Sequence, residues 1–166
     1  MSTILDDLAA EEARLVFCRF DADTAFELGR RLRTEARRRG GAVAIEVAIA
    51  GRTLFFAAMP GTTADNAGWI ARKRAVVERF EHSSWYMKHL YEMRGTTIVE
   101  KSLLPLADYA PFGGAHPIRV RGVGQIGVVT VSGLPQAEDH RLVVDTLAEL
   151  LVAMPADADA GVAEAD

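Results

Sequence analysis

Cysteine occurs once, as Cys18, which excludes an intramolecular disulfide and any zinc site built from several cysteines. Set in Leu15-Val16-Phe17-Cys18, it reads as a buried structural thiol. No apolar run approaches the roughly 20 residues that a membrane-spanning helix requires, and no charged leader precedes an apolar stretch, so the expected location is the cytoplasm. An excess of positive charge is also missing. The net charge is −4, and four acids (Asp157, Asp159, Glu164, Asp166) lie in the Ala-rich segment after Pro155. Residues 1–154 are therefore close to neutral, unlike the basic balance of a nucleic-acid-binding surface. No GxSxG elbow, phosphate-binding loop or HExxH pair is present. Gly122, Gly124 and Gly127 do spell GxGxxG. Their flanks read as two strands of a hairpin and not as strand-to-helix, which excludes a dinucleotide unit.

What remains is an ordinary soluble composition, 49% hydrophobic and 25% charged over 166 residues, enough for one domain with a sizeable core. The expected division is one domain over 1–154 and a disordered acidic tail over 155–166. Residues 3–13 read as a short helix, followed by a strand around Leu15 to Phe20. Thr24 and Glu27 have capping-box spacing, which predicts a helix from near Ala25. Ala25, Leu28, Gly29, Leu32 and Ala36 form its apolar stripe. Arg37, Arg38 and Arg39 suit its carbonyl end, and Gly40-Gly41 stop it. Val43, Ile45, Val47 and Ile49 alternate with small residues as a strand, and Thr53 to Met59 returns as its hairpin partner. A helical region follows from about Asp65 to Met93, with a break expected near Glu81 to Ser83. Thr97 to Leu106 fits either a short strand or a helix. Such an order lacks regular β-α-β alternation and predicts an α+β domain with a mainly antiparallel sheet.

The densest information lies between His116 and His140. Pro117 suits the start of a strand. Ile118 and Val120 alternate with Arg119 and Arg121, Ile126 to Val131 reads as a strand buried on both faces, and Ser132-Gly133-Leu134-Pro135 leads into a final helix from about Gln136 to Met154. Three stretches carry a family likeness: LFFAAMPGTTADNAGWIARKRAVVERFEHSS (Leu54 to Ser84), DYAPFGGAHPIRV (Asp108 to Val120) and VSGLPQAEDH (Val131 to His140). In that order they resemble the haem-degrading-domain superfamily, HbpS-like and GlcG-like, and within it the UPF branch. The resemblance implies a profilin-like fold of about five strands flanked by helices, and dimers built into larger rings. Haem is the leading ligand it implies, with a possible haem-degrading activity.

Candidate site residues fall into two groups. On the long helix, Trp69, Val76, Phe80 and Met87 share one face, expected to be core. Asn66, Lys73 and Ser84 border it, where polar groups need partners. Lys73 suits an anion pocket for a carboxylate or propionate, or else a snorkelling stem with its ammonium in water or an ion pair across a subunit contact. The second group is Tyr109, Gly113, Gly114, His116 and Pro117, a loop whose glycines allow close approach of backbone amides to a bound group. Of His82, His89, His116 and His140, His116 is by position the weak candidate haem ligand, while His140 reads as fixing a helix terminus. The reading joins both groups into one ligand recess, with Lys73 and His116 converging on it. The expected function is a cytoplasmic, homo-oligomeric small-ligand-binding protein. The alternatives are a structural assembly or adaptor protein with no catalytic site, and an enzyme on a small metabolite using His116, Tyr109 or Asp139 for proton transfer.

Overall fold

The computed structural model describes residues 1–155; the expected acidic tail lies, beyond Pro155, outside the described residues. In chain order the elements are α1 (Ile4–Arg14), β1 (Val16–Phe17), α2 (Ala22–Arg38), β2 (Ala44–Ile49), β3 (Arg52–Ala58), α3 (Ala64–Phe80), α4 (Ser84–Met93), α5 (Ile98–Ser102), β4 (Ala115–Val120), β5 (Gly124–Ser132) and α6 (Gln136–Ala153). The strands form one sheet in the order β1-β4-β5-β2-β3, antiparallel except where β1 runs parallel to β4. The architecture is α+β, as the element order predicts.

The two faces of the sheet are covered by different helices, and strand alternation decides which residue meets which. Ile45, Val47, Ile118, Val129 and Val131 pack with Leu28 and Leu32 of α2 and with Leu142 and Leu147 of α6. Ala115 and Val128 pack instead against Val77 of α3. Residues of β4 therefore alternate: Ala115 and Pro117 face α3, whereas His116 and Ile118 face α2 and α6.

Local differences from the sequence reading have local causes. Helix α2 starts at Ala22, because Asp21 accepts the Thr24 N–H at 2.9 Å and Thr24 answers as the third helical residue. Aspartate caps at least as well as threonine, so the box sits one turn earlier than Thr24 to Glu27 suggested. The long helical region breaks where expected. Glu81 adopts φ 57°, and Ser83 then caps α4 by accepting the Tyr86 N–H at 3.1 Å. The ambiguous Thr97 to Leu106 segment resolves into the five-residue α5, capped by Thr97 on the Glu100 N–H. Cys18 is exposed and not buried. Strand β1 ends at Phe17, so the chain has already left the sheet at Cys18. Val76 and Met87 enter the core, while Trp69 and Phe80 are only half-buried.

Candidate functional site

Helix α3 crosses the end of the sheet where β5 turns into α6, and Lys73 reaches through that gap. Its ammonium donates to the Asp139 carboxylate at 2.9 Å and to the Val131 carbonyl at 3.1 Å. The route passes Gly114, which has φ 132°. A Cβ there would lie 2.6 Å from the Val131 carbonyl oxygen and 2.8 Å from Nζ of Lys73. Glycine is therefore the residue that leaves room for the ion pair. The other oxygen of Asp139 accepts the Leu134 N–H at 3.0 Å. Since Pro135 caps α6 with no side-chain hydrogen bond, this carboxylate also fixes the start of the helix. Both side chains are almost fully enclosed, Lys73 at 4% and Asp139 at 1% exposure. Burial pushes the Lys73 ammonium below its ordinary range and the Asp139 carboxyl above its own, each shift opposed by attraction to the other group. Removing either member would leave an uncompensated charge in the interior.

The pair forms the floor of a cavity of about 350 Å³, walled by Asn66, Trp69, Phe112, Ser132, Leu134 and Gln136. Asn66 anchors its carbonyl oxygen on the Thr63 N–H at 2.9 Å. Its amide reaches the Ser132 carbonyl and hydroxyl oxygens only at 3.4 and 3.3 Å. Trp69 stands between the Arg72 guanidinium, 4.2 Å from its ring centre, and Phe112 at 5.6 Å, with its indole N–H on Asp65. Polar groups thus converge at the base of an aromatic-walled recess, the usual composition of a small-molecule site. A second cavity of about 290 Å³, between the end of α6 and Cys18, is lined by Arg14, Val16, Leu151 and Met154 and has no such buried pair.

The remaining predicted residues divide. Gly113 and Gly114 border the recess from behind: the Gly113 N–H donates to the Gln136 side chain at 3.4 Å, and a Cβ there would meet the Gln136 carbonyl oxygen at 2.3 Å. Ser84 is a buried clamp, its hydroxyl accepting the Ala115 N–H at 3.0 Å and donating to the Ala115 carbonyl at 3.3 Å. Tyr109 packs against the Val76, Met87 and Tyr91 cluster and does not line the recess. Lys73 and His116 do not converge. Strand β4 begins at Ala115, and alternation turns the His116 ring to the opposite face, while Pro117 faces α3.

There His116 joins a second buried polar cluster that sequence reasoning missed. Glu12 accepts from His82 at 2.9 Å, from the Ser83 N–H at 2.7 Å and from Arg119 at 3.3 Å. Glu11 pairs with His140 at 2.7 Å and Arg141 at 2.8 Å. Burial alone would raise the Glu11 carboxyl, but those two partners outweigh it and hold it at about 2. His116 lies against its own strand, Nδ1 2.9 Å from the Pro117 carbonyl, and burial pushes the ring down to about 4. Nε2 of His116 and Nδ1 of His140 are buried without a partner, the two ring centres 6.5 Å apart. Among the described residues no three His, Cys, Asp or Glu side chains are grouped to hold a metal ion. The available signal for Glu11 and Glu12 was two adjacent acids at the end of a helix, indistinguishable in sequence from a solvated face.

Residues 20–148 match the family described as haem degrading protein HbpS-like. The chain belongs to the HbpS-like family. A UPF0303 protein of Serratia proteamaculans is 48% identical over 91% of this chain and 96% of its own length, and one of Streptomyces coelicolor is 51% identical over 85% and 89%. Among solved structures, the Ybr137w protein superimposes with a TM-score of 0.85 at 32% identity, covering 92% of this chain and 90% of that one. A PduOC–haem complex gives 0.64 at 18% identity, over 80% of this chain and 94% of that one, a likeness of fold.

Haem is thus the cofactor that HbpS-like kinship raises, and the recess does not fit a ligated one. Its walls carry no His, Met, Tyr or Cys to serve as axial ligand. His116 and His140 are 1% and 2% exposed. His82, with its side chain 39% exposed and Nδ1 held by Glu12, is the most accessible imidazole, but it stands at the far end of α3. No helix of the described residues is long and apolar enough to cross a membrane.

Proposed function

We propose that this HbpS-like protein is a cytoplasmic small-ligand-binding protein whose ligand seats in the recess between α3 and the start of α6. The observation that carries this reading is the Lys73–Asp139 pair at the base of a cavity walled by Trp69 and Phe112. A buried pair alone is weak evidence of function. One that opens on an aromatic-walled cavity beside a loosely bonded asparagine amide offers unused hydrogen-bonding capacity to a guest. Haem enters this proposal as a ligand to test by kinship, and no step is routed through it.

The same protein is proposed to act as a homo-oligomer. Strand β3 is a sheet edge of seven residues without lysine or proline, and Phe56 on it and Phe26 on α2 are 48% and 60% exposed. Such edges invite pairing or a covering partner. Light scattering on the parent and on Phe56→Glu measures assembly directly; a parent that runs as a monomer would remove this part of the reading.

A thermal-shift screen of small planar metabolites, with haem followed by its Soret band, tests the recess. Stabilisation by a hit should be lost in Trp69→Ala and retained in His116→Gln. A hit unaffected by Trp69→Ala places binding elsewhere and rejects the recess.

A further inference from the structure

The charges around the recess cancel, and this bears on what it can accept. At the floor, the single cation Lys73 is matched by the single anion Asp139. The sum is zero whichever of the two carries the shared proton. At the rim, Arg72 stacks on Trp69 and is matched by Asp65 at 3.8 Å, which also accepts the indole N–H. The other polar groups are uncharged: the Asn66 amide, the Ser132 hydroxyl and the Gln136 amide. An anion entering here gains one ammonium already engaged by a carboxylate and must approach that carboxylate. A cation meets the mirror-image difficulty with Lys73. The hydrogen-bonding groups, by contrast, offer both donors and acceptors. The ammonium has three donors, of which two are used within the protein. The Gln136 oxygen is bonded to Gly113, and the Asn66 amide is held only by long contacts.

Resting on the ligand-site reading above, we infer that the recess selects an uncharged planar ligand with adjacent donor and acceptor atoms, of the carboxamide or lactam class, over isosteric anions and cations. The touching rings of Trp69 and Phe112 form the apolar wall along which it lies, and the amide edge meets Asn66, Ser132 and the third donor of Lys73. The anion pocket considered for Lys73 from sequence is thereby replaced by a neutral one, because its counter-charge is built in as Asp139.

Three isosteric probes test this: benzamide, benzoate and benzamidinium, titrated into the full-length protein. The readout is the Trp69 indole N–H resonance, one of two such signals in this chain. Benzamide should bind roughly tenfold or more tightly than either ion, the scale expected for one uncompensated charge in a partly desolvated site. Asp139→Asn frees the ammonium, and benzoate should become the preferred probe. Asn66→Asp adds one negative charge where a helix's first turn favours it, so the fold is retained and preference should move to benzamidinium. Should Asp139→Asn fail to fold, the parent ranking and Asn66→Asp still decide. A parent that binds benzoate or benzamidinium as well as benzamide overturns the charge selection and leaves the recess reading standing. If none of the three moves the Trp69 signal while other signals shift, the recess reading falls with it.

Discussion

Two buried polar clusters join the helices of this fold around the sheet. At the end of β5, Lys73 and Asp139 satisfy each other and open on a cavity with loosely bonded amides. In the second, Glu11, Glu12, His116 and His140 tie α1 to α4, β4 and α6. That cluster holds buried ring nitrogens without partners, yet none of its four residues lines a described cavity near the first. The second set contains the more conspicuous chemistry, two acids and two imidazoles, and it works as an internal brace. The first has plainer residues and a way in. A chemical group becomes a site when ligand can reach it, and residue type alone does not establish that.

The contrast can be broken most forcefully at Lys73. Lys73→Ala strands Asp139 in the interior and should lower unfolding free energy by about 3–5 kcal/mol. The double variant Lys73→Met/Asp139→Asn should recover most of that loss in urea titrations, because no charge then remains buried and an oxygen is kept for the Leu134 N–H. A double variant as unstable as the single would refute the ion-pair account.

The brace is probed by acid. His116 has a folded value depressed from 6.5 to about 4, so between those pH values the unfolded chain binds a proton that the native protein refuses. Stability is fully present above about pH 6.5 and declines as pH falls towards 4, by about 3 kcal/mol across the window at one pH unit per 1.36 kcal/mol. Glu11, held at about 2 against an ordinary 4.5, loses its share in a separate window below pH 4.5. Urea unfolding at stepped pH should show the upper slope in the parent and a flatter one in His116→Gln. Equal slopes would contradict the assignment to His116.

Smaller effects sharpen the comparison. Gly114→Ala combines a positive φ with two close contacts, Val131 oxygen and Lys73 Nζ, and should cost about 1–3 kcal/mol. In a Lys73→Met background one contact is relieved, and the penalty of the alanine should shrink. Ser84→Ala loses its paired bonds to Ala115 and should cost about 1–2 kcal/mol by chemical denaturation, without changing the affinity of any recess ligand.

Much of the fold was legible because periodicity and caps are local. The alternation of Val43 to Ile49, the stripe of α2 and the break before Ser83 each sit within a dozen residues. Asn66, Trp69 and Lys73 share a face for the same reason. What was not legible depended on where a strand begins. The strand was expected to begin at Pro117, after a loop from Tyr109 to Ala115, yet pairing starts at Ala115. From there neighbours point to opposite sides, so Gly114 meets Lys73 while His116 turns away. Asp139 was weighed as a proton carrier and not as the partner of Lys73, since their 66-residue separation is closed only by the sheet.

The most direct measurement is a nuclear magnetic resonance footprint of a bound recess ligand on the whole protein. The account expects the largest shifts at the Trp69 indole and at the Asn66 and Gln136 side-chain amides, with the His116 and His140 rings unmoved. Largest shifts at those two imidazoles, with Trp69 silent, would contradict it.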